Sequence, residues 1–132
     1  MLTITKANKQ YCERILTKVG YRLGLTILPK LIYRKVEYTY YAGLSSRAKT
    51  YKNRHNPDRL KGIAFYRPMR IYINIRMHKD KDELKDTIIH ELIHFKFKKM
   101  NHCKRFFKFI EYAKSGHYKR IRDYYNKEIL QT

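Results

Sequence analysis

Asp80-Lys-Asp-Glu-Leu84-Lys-Asp-Thr-Ile88-Ile-His90-Glu-Leu-Ile-His94-Phe-Lys-Phe97 is the stretch around which the rest of the chain is read. Leu84, Ile88, Leu92 and Phe95 recur at three- and four-residue spacing, which marks one apolar face of a helix. Asp80, with Glu83 three residues on, supplies a start that resembles a capping box, so the pattern predicts a helix over 80–100. Within it stands His90-Glu91-Leu92-Ile93-His94, an HExxH. Residues four apart on a helix differ by about 40° in azimuth and 6 Å in rise, so both imidazoles can meet one ion at the ~2.0–2.1 Å of a zinc–nitrogen bond. Glu91, one step from His90, then stands beside the ion without ligating it and can act as a general base. Zn2+ is the expected cofactor, with His90 and His94 as metal ligands and Glu91 as the catalytic residue.

A third ligand has to come from beyond this helix. Eight more helical residues would carry position 102 about 12 Å along the axis from His94, out of reach of a shared ion. For His102 to be the third ligand the chain must turn near Met100 and Asn101, and Asn suits such a turn. Glu111, Asp123, Glu128 and His117 are the alternatives. His55 and His78 read as loop residues and are assigned no role.

Working outward, apolar residues at Tyr11, Ile15, Leu16, Val19 and Leu23 predict a helix over 5–24, stopped by Gly24 and Pro29. Residues 31–41 alternate and are rich in β-branched and aromatic side chains, so they read as a strand. The segment 43–57 is polar and basic and reads as a long loop or loose hairpin. Short strands follow at 62–66 and 70–76; in the second, Ile71, Ile73 and Ile75 face one way and Tyr72 and Asn74 the other. Past the HExxH helix, a helix begins at Asn101 as its cap and runs to the break at Ser115 and Gly116, and a last helix covers 117–129. The order defines an α+β fold in one domain, 1–132: an N-terminal helix, a small antiparallel sheet, the HExxH helix and C-terminal helices.

Charge narrows the class of partner. The 132 residues carry 31 Lys and Arg against 11 Asp and Glu, a net +20, which a polyanion would relieve. With 43% apolar or aromatic residues the chain can still bury a core. No apolar run approaches the ~20 residues of a membrane span, and the opening Met1-Leu2-Thr3-Ile4-Thr5-Lys6 has no signal-like apolar region, so an intracellular protein without a membrane partner is expected. Cys12 and Cys103 form no CxxC pattern and read as free thiols. Arg47, Lys49, Lys52, Arg54, Arg59 and Lys61 make the densest basic run and are the candidate nucleic-acid contacts. A second set, Lys96, Lys98, Lys99, Lys104, Arg105 and Lys108, flanks His102. Interleaved Tyr51, Tyr66 and Tyr72 could stack bases, which suits single-stranded or distorted DNA read with low sequence preference.

Two motifs carry a family likeness. Asp86-Thr-Ile-Ile-His-Glu-Leu-Ile-His94, followed by Asn101-His-Cys-Lys-Arg-Phe106, resembles the SprT-like zinc metallopeptidases and the related YgjP-like and WLM groups. Those share an HExxH helix and then His-(Gly/Ser)-x-x-Phe. Tyr41-Ala-Gly-Leu-Ser through Ile71-Tyr-Ile-Asn74 is similar to the short sheet of that family. The seven residues between His94 and His102 and the Cys103 in the small-residue position depart from the family pattern, and no C-terminal zinc ribbon is present in the sequence. The resemblance implies a minimal zincin-like core with His90, His94 and His102 as ligands and Glu91 as base, acting on a peptide carbonyl of a protein substrate. It also implies a link to DNA-bound or crosslinked proteins. Strand 71–75 is the candidate edge for an added substrate strand, and Tyr112 or Tyr118 could stabilise an oxyanion. The competing readings are a non-catalytic DNA- or RNA-binding protein on the same fold and a basic nuclease using His and Glu as acid and base.

Overall fold

The computed structural model describes residues 1–33 and 61–130. The outer part of the predicted 31–41 strand, the 43–57 loop and the Tyr41-Ala-Gly-Leu-Ser segment lie outside them. The described residues form an α+β fold of four helices and a three-stranded sheet.

Helix α1 (Lys6–Arg22) starts where Thr5 Oγ1 accepts the N–H of Asn8 at 3.1 Å, and it buries Cys12, Leu16 and Val19 along one face. It ends in a Schellman motif: Leu25 N–H donates to Gly20 O and Gly24 N–H to Tyr21 O, both at 3.0 Å. Gly24 sits at φ +81°, the left-handed conformation this ending needs.

Strands β1 (Lys30–Ile32), β2 (Gly62–Tyr66) and β3 (Met69–Ile73) lie in the order β1-β3-β2. The sheet is mixed and not, as expected, antiparallel: β2 pairs antiparallel with β3, Ala64 opposite Ile71, whereas β1 runs parallel to β3, Leu31 opposite Ile71. Alternation reports which side chains share a face but not which way a neighbour runs, and only a tight hairpin, such as the one at Arg67 and Pro68, dictates direction. β3 is central and paired along both edges, and Ile71, Tyr72 and Ile73 are all buried, so both of its faces are covered there. Tyr72 is 3% exposed, so it is a core residue and not the base-stacking ring expected.

The predicted 70–76 strand stops at Ile73, and a 3-10 turn (Ile75–Met77) follows. Its cause is His78, which is fully buried and not a loop residue without a role. His78 Nδ1–H donates to Asn74 O and His78 Nε2 accepts from Thr87 Oγ1, each at 2.7 Å. One imidazole thus ties the end of β3 to the first half of the next helix. Burial, more than its neighbours, holds the His78 pKa below the ordinary value of 6.5. The folded protein therefore keeps this ring neutral while the unfolded chain takes up a proton, and the stability His78 contributes is lost as pH falls below about 6.5. In chelator, His78→Gln is expected to lose less stability between about pH 7 and 5 than the unaltered protein, measured by urea unfolding; equal losses would show that the ring titrates normally.

Helix α2 (Lys81–Lys96) begins as its sequence promises: Glu83 N–H donates to Asp80 Oδ1 at 2.9 Å, and Lys79 N–H donates to Glu83 Oε2 at 2.8 Å. Its stripe of Leu84, Ile88, Leu92 and Phe95 is buried, and Ile89, Glu91 and Ile93 are buried as well, because α2 packs against α1 on one side and β2 on another. The helix ends four residues earlier than expected. Phe97 leaves helical geometry (φ −123°, ψ 72°), and its buried ring packs with Phe109, Tyr124 and Tyr125 at 5.2, 5.9 and 5.7 Å between centroids.

Helix α3 (Lys104–Lys114) is capped by Cys103, not by Asn101, and closes in a second Schellman motif with Gly116 at φ +81°. Helix α4 (Tyr118–Tyr125) runs into a single π turn (Asn126–Leu130). One core cluster joins all four helices to β1 and β3.

Candidate metal centre

His90 and His94 stand one turn apart on α2, and their Nε2 atoms approach to 3.2 Å. The early end of α2 turns the chain back at once: Met100 N–H donates to Phe97 O at 3.0 Å, and Cys103 N–H to Asn101 O at 2.8 Å. This compact turn brings His102 Nε2 to 2.9 Å from His94 Nε2. The three donor atoms lie within 4.8 Å of one another and are the group of such donors among the described residues. Glu111, Asp123, Glu128 and His117, the alternative third ligands, do not join it.

Phe106 holds the three rings in place. It is fully buried, and its centroid lies 4.9, 4.6 and 5.0 Å from those of His90, His94 and His102. The first turn of α3 therefore presents an aromatic floor that touches every member of the triad. Sequence reading placed Phe106 in a motif and in an apolar stripe; nothing in a one-dimensional pattern indicates that one ring will contact all three histidines.

The triad fits a tetrahedral zinc ion. Bonds of ~2.0–2.1 Å set neighbouring nitrogens about 3.3 Å apart, close to the observed 3.2 and 2.9 Å. Burial, and then the neighbouring histidines, push His90 down to about 4; burial, and then His102, do the same to His94. Both are neutral at physiological pH, the form a metal ligand must have.

Glu91 is not one of the three converging donors. It is 6% exposed and stands near the backbone N–H of Ala64 on β2, which favours its ionised form. Burial raises its carboxyl to about 8, partly offset by the Ala64 N–H. Glu91 shares with His90 the wall of a groove of about 390 Å³, whose other sides include Gly62, Thr87 and Ile110. Tyr66, at the other end of β2, donates to the backbone carbonyl of His94 at 3.3 Å; it is the tyrosine the fold brings to the triad. Tyr112 lies near the C-terminal end of α3 and Tyr118 beyond it, whereas His102 precedes its start.

Strand 71–75 cannot be the edge that receives a substrate, because β3 is paired on both sides. Among the described residues the strand beside the groove is β2. Asn74 N–H donates to Lys61 O at 2.9 Å, and antiparallel alternation then turns the N–H and C=O of Gly62, Ala64 and Tyr66 away from β3. Ala64 N–H is the one that Glu91 stands near.

Of the candidate nucleic-acid residues, Arg47, Lys49, Lys52, Arg54 and Arg59, with Tyr51, lie outside the described residues. Lys61 is described, and its Nζ pairs with Glu83 Oε1 at 2.8 Å. In the second basic set, Lys96 lies over Tyr125 at 3.6 Å, Lys98 over Tyr66 at 5.9 Å and Arg105 over Tyr124 at 4.6 Å. Tyrosine rings therefore hold cations here, Tyr66 also packing edge-on to Phe95 at 5.2 Å.

Compared with known proteins, the chain matches no family model, no curated protein and no solved structure. Among the described residues no helix is long and apolar enough to cross a membrane.

Proposed function

We propose that this chain is a small zinc-dependent endopeptidase on a zincin-like core, of the SprT-like kind that its motifs resemble, with a nucleic acid as its second partner. The observation that carries the reading is the approach of His102 Nε2 to 2.9 Å from His94 Nε2 across a turn of chain. His90, His94 and His102 would hold the ion. When bound, zinc supplies Lewis acidity, polarising a carbonyl and lowering the pKa of water toward 7. The remaining work falls to the chain's own side chains. Glu91, buried and adjacent to His90, is suited to holding a proton at its carboxyl group and passing it on near neutral pH. The outward edge of β2 is suited to lining up an extended peptide through main-chain hydrogen bonds, whatever its sequence. The surrounding Phe106 and Ile110 limit access of water from beneath. The net +20 supports a polyanion held near the substrate, such as DNA carrying bound protein.

The test is metal content together with cleavage. After exposure to zinc and desalting, about one zinc per chain is expected, with His102→Ala retaining far less. Cleavage of an unfolded protein or of a DNA-bound protein should stop with chelator and return with zinc. Zinc at full occupancy with no cleavage of either would leave the non-catalytic nucleic-acid-binding reading, and chelator-resistant cutting of nucleic acid would favour a nuclease.

A further inference from the structure

At the end of α3 opposite to the histidine triad lies an open concavity of about 540 Å³. Arg22 from the end of α1 lines it together with His117, Lys119, Arg120 and Arg122, and no acidic residue is among the lining residues. The 11 residues of α3 separate it from His102, a distance of about 16 Å along the helix.

Lining charge alone would be a solvated surface, but the partners of these side chains differ from those of most surface cations. The Arg22 guanidinium lies 5.7 Å from the centre of the Tyr118 ring. Arg120 donates to Tyr112 Oη at 3.3 Å and lies 5.3 Å from that ring. A neutral phenol orients a guanidinium without cancelling its charge, whereas a carboxylate would cancel it. Among the described residues only Lys119 of these cations is ion-paired, to Asp123 at 2.8 Å. Two arginines that line one concavity are thus held beside tyrosine rings, with no carboxylate paired to them among the described residues, which lowers the ordering cost of gripping an anion. The concavity is open and wider than a single phosphate, so it suits consecutive phosphates of a chain better than an enclosed small molecule.

We propose that this concavity binds the phosphodiester backbone of a nucleic acid, Arg22, Arg120 and Arg122 making the phosphate contacts. The proposal takes from the preceding section only the class of partner. It assigns the contacts to a surface that the sequence reading passed over in favour of the 47–61 run.

The test measures binding of a fluorescent single strand of about 20 nucleotides by anisotropy across a salt series. Each phosphate contact to a single strand contributes about −0.7 to the slope of log K against log salt. Replacing Arg22, Arg120 and Arg122 together by Gln is therefore expected to reduce the slope by about 2 and the affinity by about 10–100-fold at moderate salt. Replacing the exposed Lys6, Lys79 and Lys81 by Gln removes equal charge elsewhere and should cost far less. Equal losses in the two variants, or full competition by inorganic phosphate at matched ionic strength, would overturn the assignment while leaving a nucleic-acid partner standing. No binding by the unaltered protein would overturn both. Should the arginine variant fold poorly, amide resonances of residues 116–122 in the unaltered protein decide the matter: they should shift as the oligonucleotide is added, and their staying fixed while others move would refute the site.

Discussion

Glu91→Gln is expected to abolish peptide cleavage, by about 10²–10⁴-fold, and at the same time to stabilise the metal-free protein at alkaline pH. Both effects follow from a carboxyl group that is 6% exposed and stands near the Ala64 N–H. A glutamine of nearly the same shape can present its carbonyl to that N–H, so the exchange costs the fold little, but the variant has no carboxylate to exchange a proton. The stability effect has a definite sign. Burial raises Glu91 from 4.5 to about 8 in the folded state. Its contribution is therefore complete below about 4.5 and is lost as pH rises through about 8, because the unfolded chain ionises freely while the folded one resists. The gap in melting temperature between variant and unaltered protein, both in chelator, should be small near pH 5 and largest above pH 8. A gap that does not change with pH would mean that the carboxyl is better solvated than its surroundings imply, and undiminished cleavage would remove Glu91 from the reaction altogether.

Phe106→Ala should be the most damaging single change outside the ligands themselves. Emptying a fully buried phenyl site costs about 3–5 kcal/mol, to be read from urea unfolding in chelator. The ring also contacts all three imidazoles, so its loss should loosen their convergence and weaken zinc binding by about 10–100-fold, the usual penalty for removing a group that orients ligands. Phe106→Leu separates the two effects. It refills much of the space and should restore much of the stability, yet without a flat ring it should still bind zinc more weakly in competition with a chromophoric chelator. If the leucine variant binds zinc as tightly as the unaltered protein, the ring serves the core and not the triad.

Much of the fold was readable residue by residue because its causes are local. The α2 stripe, the Asp80 start, the glycine ending of α1 and the Ser115 and Gly116 break depend on side chains within a few positions of one another, so spacing reports them directly. The pairing of His90 with His94 belongs to the same class: helix geometry alone puts their ring nitrogens within 3.2 Å.

Tertiary structure alone decided the rest. A strand's alternation is blind to its neighbour's direction and to what packs on its second face, so β1 could run parallel and Tyr72 could be buried. His78 reads as a loop residue until Asn74 and Thr87 are seen to enclose it. Lys61 counts as free charge until Glu83 meets it. His102 depended on where α2 stops, which no helix-ending residue announces; the Phe97 ring leaves the helix for an aromatic cluster built from α3 and α4. Local sequence determines which segments coil or extend and which faces are apolar. Bringing a residue eight positions past His94 back to it is set by the burial free energy of side chains distant in the chain, and that energy exists only once the helices have packed.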